Sequence, residues 1–181
     1  MTRTVYYTAT TLDGFVADEA QTLDWLLSRE VDPDGPMGYA AFIAGVGALV
    51  MGATTYRWVR AHSDGWEYQQ PCWVVTHTPG EPPPGADVRF TDADVAEVHA
   101  ELVAAAGDRD VWVVGGGVLA AQFAERGLLD EVAVSIAPVT LGAGRPLLPA
   151  HVELRPLEVA ANGEFACVRY AVVRDAVVRE G

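Results

Sequence analysis

Three places in the chain join an apolar run to glycines or hydroxyl-bearing residues that could hold a phosphate. The densest is Val111-Trp-Val-Val-Gly-Gly-Gly-Val118. A buried strand that ends in glycines and turns into a helix leaves backbone N–H groups unpaired and aimed at one spot. The missing side chains allow close approach, and the helix dipole favours an anion. A tight strand-to-helix turn without a ligand would look the same. The second place is Leu49-Val-Met-Gly-Ala-Thr-Thr-Tyr56, where Gly52 offers the same approach and Thr54 and Thr55 bring hydroxyls to a helix start. A threonine that merely caps the helix is the plainer alternative. The third is Trp73-Val-Val-Thr-His77, whose end carries Thr76 and His77. One histidine after a strand is more often a surface residue than a ligand. Ligands of open α/β sheets collect at the carboxyl ends of strands, so three such ends together suit one elongated nucleotide site.

Gly115, Gly117 and Ala120 also satisfy the dinucleotide pattern G-x-G-x-x-G/A. A Rossmann-type site needs an acid about twenty positions on, at the end of a second strand. Asp130 and Glu131 precede the next strand instead, and the motif comes late, which ranks that reading second. His99-Ala-Glu101 has the H-x-E form of zinc deaminases, which also requires a later P-C-x-x-C. Pro71-Cys72 comes earlier and has no second cysteine nearby, so no zinc is expected.

The elements that must position these residues can be read from periodicity. Val5 to Thr10, Ala48 to Met51, Cys72 to Thr76, Val111 to Val114 and Val132 to Ile136 read as strands. Helices are predicted at about 23–28, 39–43 and 54–61, and after the glycine trio, where Leu119 and Phe123 share a face. Thr91 with Asp94 resembles a capping box ahead of Val95, Val98 and Leu102. Thr78 to Asp87, with four prolines, must be a loop. Val152 to Ala160 and Phe165 to Val173 flank Asn162-Gly163, a type I′ hairpin signal. The expectation is an α/β fold: a mostly parallel central sheet with helices on both faces and a C-terminal antiparallel hairpin.

Thr11-Leu-Asp-Gly-Phe-Val-Ala17, Val50-Met-Gly-Ala-Thr-Thr-Tyr56, Val113-Val-Gly-Gly-Gly117, Leu129-Asp-Glu-Val132 and Ala137-Pro-Val-Thr-Leu-Gly-Ala-Gly-Arg-Pro-Leu147 appear in order. This series resembles the dihydrofolate reductase-like superfamily, and within it the group related to the reductase domain of the bifunctional riboflavin-biosynthesis enzyme. The resemblance covers roughly residues 4–173. It implies an NADPH-dependent reductase, often a homodimer, that transfers a hydride to a small heterocyclic or carbonyl-type substrate. By position, Ala9, Val16 and Ala17 would line the nicotinamide end. Gly52, Thr54 and Thr55, with Gly115, Gly116, Gly117, Val118 and Leu119, would hold the pyrophosphate, and Thr76 and His77 would sit by the adenosine ribose. Asp24 matches the place of the acid that dihydrofolate reductases use as proton donor, with Trp25 beside it as a stacking surface for substrate. The bland alternative makes Asp24 a solvated acid and Trp25 a core residue. Asp13, next to Gly14, more plausibly shapes a turn. Where relatives often carry an arginine for the 2′-phosphate, this chain has Ala53, so NADH is expected to be accepted as well.

The bulk properties fit. A chain of 181 residues suits a single domain over 1–181, with 50% hydrophobic and 20% charged residues. A net charge of −13 without a basic cluster argues against nucleic acid as partner. Two unpaired cysteines, no signal-peptide core near the start and no long apolar run point to the cytoplasm and away from membranes. A non-catalytic nucleotide-binding protein of the same fold is the alternative from a different class.

Overall fold

The computed structural model describes residues 1–174; residues 175–181 lie outside them. The first strand, β1, is Thr4–Thr11, followed by β2, Phe15–Ala17. The main sheet continues with β3 (Val46–Gly52), β4 (Cys72–Val75), β5 (Val88–Thr91), β6 (Asp110–Gly115) and β7 (Glu131–Ala137). A short β8 (Arg145–Pro146) precedes the closing hairpin of β9 (Leu154–Asn162) and β10 (Phe165–Val172). Eight strands form one sheet in the order β5-β4-β3-β6-β1-β7-β10-β9, and β2 pairs with β8 apart from it. All pairings from β5 across to β7 are parallel, whereas β10 runs antiparallel to both β7 and β9. Residues 46–51 of β3 are all buried, as expected of a central parallel strand covered on both faces.

Two helices, α4 (Val95–Ala106) and α5 (Gly117–Glu125), cover one face. Their Val98, Leu102, Leu119 and Phe123 pack with Tyr6, Val50, Trp73 and Val113 of the sheet. Phe42 and Ile43 of α2 (Tyr39–Ala44) and Tyr56 of α3 (Ala53–His62) pack on the other face, around Leu49, Met51 and Trp112. A single turn, α1 (Asp24–Leu27), lies over the β7–β10 side with Trp25 against Phe165 and Cys167. Among the described residues no helix is long and apolar enough to cross a membrane.

The strand order separates this sheet from a Rossmann arrangement. β3 leads through α3 outward to β4, while its neighbour β6 leads through α5 the opposite way, to β7. The two helices start side by side and diverge on opposite faces. A crevice must open there, at the carboxyl ends of β3 and β6. The register shifts at this point: Val50 pairs with Val113 but Met51 with Gly115, so Val114 is an extra residue that turns the end of β6 toward the crevice.

Three local expectations change. The cap of α4 is Asp94, whose carboxylate accepts from the Ala96 N–H at 2.9 Å; Thr91 ends β5 instead. Asn162 is not a central turn residue but pairs with Phe165, which leaves Gly163-Glu164 as the loop. Of these two only Gly163 has positive φ, +56°, so the turn is not type I′. The Asn162 amide is held elsewhere: its Oδ1 accepts from the Asp32 N–H, and its Nδ2 donates to the Asp32 and Pro36 carbonyls. The very short β2 and β8, and the four-residue β5, add strands that their length hides from periodicity.

Candidate functional site

Gly52 and Gly116 each stand at the N-cap of a helix, α3 and α5, and neither helix has a side chain capping its first turn. Their first backbone N–H groups are therefore free to face a ligand, and the dipoles of both helices add at the crevice. A Cβ built on Gly52 would lie 3.9 Å from the Gly115 carbonyl oxygen, which shows how closely the two loops approach. The three glycines of β6 and α5 have different duties. Gly115 has φ of +144°, a backbone region that favours glycine, and the Gly115–Gly116 peptide is cis. A Cβ on Gly116 would meet nothing within 4 Å and would project into open space. On Gly117 it would collide with the carbonyl oxygens of Pro146 and Leu147, so this glycine lets the 145–147 segment close over the start of α5.

One cavity of about 780 Å³ runs through the crevice. Ala9, Val16, Ala17, Gly52, Thr54, Thr55, Gly115, Gly116, Gly117, Val118 and Leu119, expected from the sequence to share a site, all line it. Asp24, Trp25, Thr76 and His77 do not. The α1 turn presents Leu23 and Leu26 to the cavity, and successive helical residues point about 100° apart. Asp24 is thereby left in solvent, and Trp25 is buried in a separate apolar cluster. Thr76 donates its N–H to the Thr91 carbonyl, and its hydroxyl bonds within the loop to Thr78. The His77 side chain is 93% exposed beside Asp92. Only Val75 of that strand end reaches the cavity.

His99 and Glu101 take structural partners. His99 Nε2 lies 2.8 Å from the Thr4 hydroxyl, with burial pushing the ring below its ordinary pKa, and Glu101 accepts from the Trp73 indole at 2.8 Å. Cys72 and Cys167 are free and buried.

Sequence reading missed an aromatic wall and a cation. Tyr7, Tyr39, Trp58, Tyr68 and Trp112 all line the cavity, and among its described lining residues Arg145 is the only charged side chain. Arg145 arrives through the β2–β8 pairing, opposite Ala17. That segment is moored by Asp13, which accepts the Thr11 hydroxyl at 2.6 Å and the N–H groups of Gly142 and Leu141 at 2.7 and 3.0 Å. The Thr11 hydroxyl first, and then these amides, hold the Asp13 carboxyl below the usual aspartate range. The alternation of β1 could have flagged Tyr7; no local signal places Arg145.

A mostly parallel sheet ending in an antiparallel hairpin, with two uncapped helix starts at its switch point, defines an α/β protein of the dihydrofolate reductase type. The chain belongs to the RibD C-terminal domain family, which it matches over residues 4–167. It is 32% identical over 164 residues to the uncharacterized protein YwjB of Bacillus subtilis (strain 168), covering 90% of this chain and 92% of that one. It superposes with a TM-score of 0.81 on a putative riboflavin biosynthesis protein from Shewanella sp. PV-4, at 28% identity, over 95% of this chain and 99% of the other. A dihydrofolate reductase from Enterococcus faecalis complexed with NADP(H) shares the fold at 15% identity and a TM-score of 0.58, over 96% and 97% of the two chains.

Proposed function

We propose that the chain is a reductase that binds NADPH along the crevice, with NADH as a weaker but usable substitute. The observation that carries this reading is the convergence of two uncapped helix N-termini, at Gly52 and Gly116, on one cavity that continues into an apolar chamber. Anions bind where backbone N–H groups and helix dipoles point together. The residues fit a dinucleotide: the open space at Gly116 leaves room for a phosphate against the backbone. Thr54 and Thr55 add hydroxyls, and Arg145 adds the positive charge that a pyrophosphate needs in a chain of net charge −13.

When bound, the cofactor supplies the hydride from its dihydronicotinamide ring. The chain's own residues do the rest. Ala9, Val16 and Ala17 are small enough to let a flat ring lie against β1 and β2. The aromatic wall gives the substrate apolar faces to pack against. No carboxylate stands among the described residues of the cavity lining, so we assign the proton that completes reduction to water entering the cleft rather than to Asp24.

The test is calorimetric titration with NADPH, NADP⁺ and NADH, followed by NADPH oxidation against small carbonyl and C=N compounds. Binding followed by turnover is expected. The missing carboxylate also favours a second reading, a protein that binds the nucleotide without catalysis. Tight NADPH binding with no turnover across the panel would favour it, and a failure to bind any of the three nucleotides would sink both readings.

A further inference from the structure

The chain contains a single asparagine, and it stands directly before a glycine, in Asn162-Gly163 at the tip of the closing hairpin. That tip clasps the strap 28–38, which joins α1 to α2. Asn162 is 3% exposed, and its carboxamide makes three bonds to the strap. Oδ1 accepts from the Asp32 N–H at 2.9 Å, and Nδ2 donates to the Asp32 and Pro36 carbonyls at 2.8 and 3.1 Å. Two residues on, the Glu164 carboxylate accepts from the Glu30 N–H at 2.9 Å and pairs with Arg29 at 3.3 Å. Between them, a Cβ on Gly163 would run into the Glu30 carbonyl oxygen. The clasp therefore requires both members of the pair, the asparagine for its bonds and the glycine for its close approach.

The same pair is chemically labile. The backbone nitrogen after an asparagine can close on the side-chain Cγ, and it does so most readily when glycine leaves the new ring uncrowded. While the strap is down, three hydrogen bonds hold the Asn162 carboxamide and keep its Cγ from turning toward the Gly163 nitrogen.

We propose that Asn162 is a site of spontaneous deamidation gated by the strap: the closed strap protects it, lifting of the strap exposes it, and the product can no longer hold the strap down. In the step, the Gly163 nitrogen gives its proton to base and bonds to Cγ, the Cγ–Nδ2 bond breaks, and ammonia leaves. Water then opens the five-membered imide at one of its two carbonyls, giving aspartate or isoaspartate. One water is consumed and one ammonia released, with no change of oxidation state. Where Nδ2 donated, a carboxylate oxygen then faces the Asp32 and Pro36 carbonyls, in a segment that already carries Glu30, Asp32 and Asp34. Acceptors that lose their donor and meet negative charge instead favour release. The effect reaches the candidate site. Val31 and Pro33 of the strap line a side pocket of about 160 Å³ that shares Tyr7 and Tyr39 with the main cavity, and the Met37 carbonyl accepts the Tyr7 hydroxyl.

The test is to hold the whole protein at mildly alkaline pH, native and urea-unfolded, and to follow by peptide mass spectrometry the replacement of NH₂ by OH at Asn162. The Asp-Gly pairs at 13, 34 and 64 can pass through the same imide, but without a change of mass or charge. Conversion through local opening follows the open fraction, so the native parent should convert about tenfold or more slowly than the unfolded chain. Glu164→Ala removes the bonds to Glu30 and Arg29 from an exposed side chain and should speed native conversion about threefold or more. The converted fraction, separated from the parent by its extra negative charge, should lose amide-exchange protection at Asp32. Conversion as fast in the native protein as in the unfolded chain overturns the proposal. So does a native rate that Glu164→Ala leaves unchanged, or a converted protein that keeps its protection at Asp32.

Discussion

Gly116 is the residue at which ligand approach and folding separate most cleanly. Because a Cβ there meets nothing within 4 Å, Gly116→Val should fold as the parent does while its branched side chain occupies the place of a phosphate. The expected result is an unchanged melting temperature without ligand and loss of the rise that NADPH causes in the parent. Gly117 makes the contrast: Gly117→Ala would drive a methyl into the Pro146 and Leu147 carbonyls and should destabilise the apo protein. On the NADPH reading proposed above, a guanidinium added at Ala53, the first residue of α3 and part of the cavity lining, would meet the 2′-phosphate. A charge-assisted bond contributes about 1.5–3 kcal/mol, so Ala53→Arg should tighten NADPH about tenfold or more and leave NADH unchanged. Equal effects on both nucleotides would place the new charge near the pyrophosphate instead. Asp24→Asn should leave turnover unaltered, because the carboxylate lies in solvent outside the cavity. A fall of about 10²–10⁴-fold would return Asp24 to the chemistry.

The segment between β7 and β8 matters more than its lack of regular structure suggests. It carries Arg145 and closes over α5, and it is held to the β1–β2 turn by the Asp13 carboxylate. That carboxyl is held below the ordinary aspartate value of 3.8, so its grip is complete above that value and is lost as pH falls through the lower folded-state pKa. Amide hydrogen exchange at Leu141 and Gly142, taken relative to the intrinsic rate at each pH, should therefore be slow at mildly acidic pH and quicken at strong acid. In Asp13→Ala it should be fast at both, and unchanged exchange in that variant would show that backbone bonds, the β2–β8 pairing and the Leu12 N–H to Val139 carbonyl bond among them, hold the segment without the carboxylate. This contact also marks where sequence reading succeeds and stops. Asp13 beside Gly14 is legible as a turn because both residues act within a few positions. Its bonds to residues 141–142 join parts of the chain that no local pattern relates. Asn162 fails for the same reason: its preference for a turn is real, but Asp32 and Pro36 provide partners that outweigh it.

Across the whole molecule, the parallel sheet and the crevice were legible because buried strands and glycine-bearing helix starts leave strong local marks. The aromatic chamber was not. Its rings come from β1, α2, α3, the loop before β4 and β6, and each alone reads as an ordinary core residue. The placement of Trp112 and Trp58 in the lining has an optical consequence. Indoles emit at wavelengths that a reduced nicotinamide absorbs and an oxidised one does not. A bound reduced cofactor should therefore drain ultraviolet-excited indole emission by energy transfer, with its own visible emission rising in step. The chain would thus signal occupancy and redox state without any attached dye. Trp58→Phe, which keeps a ring on α3, should lower the transferred signal while leaving that of Trp112.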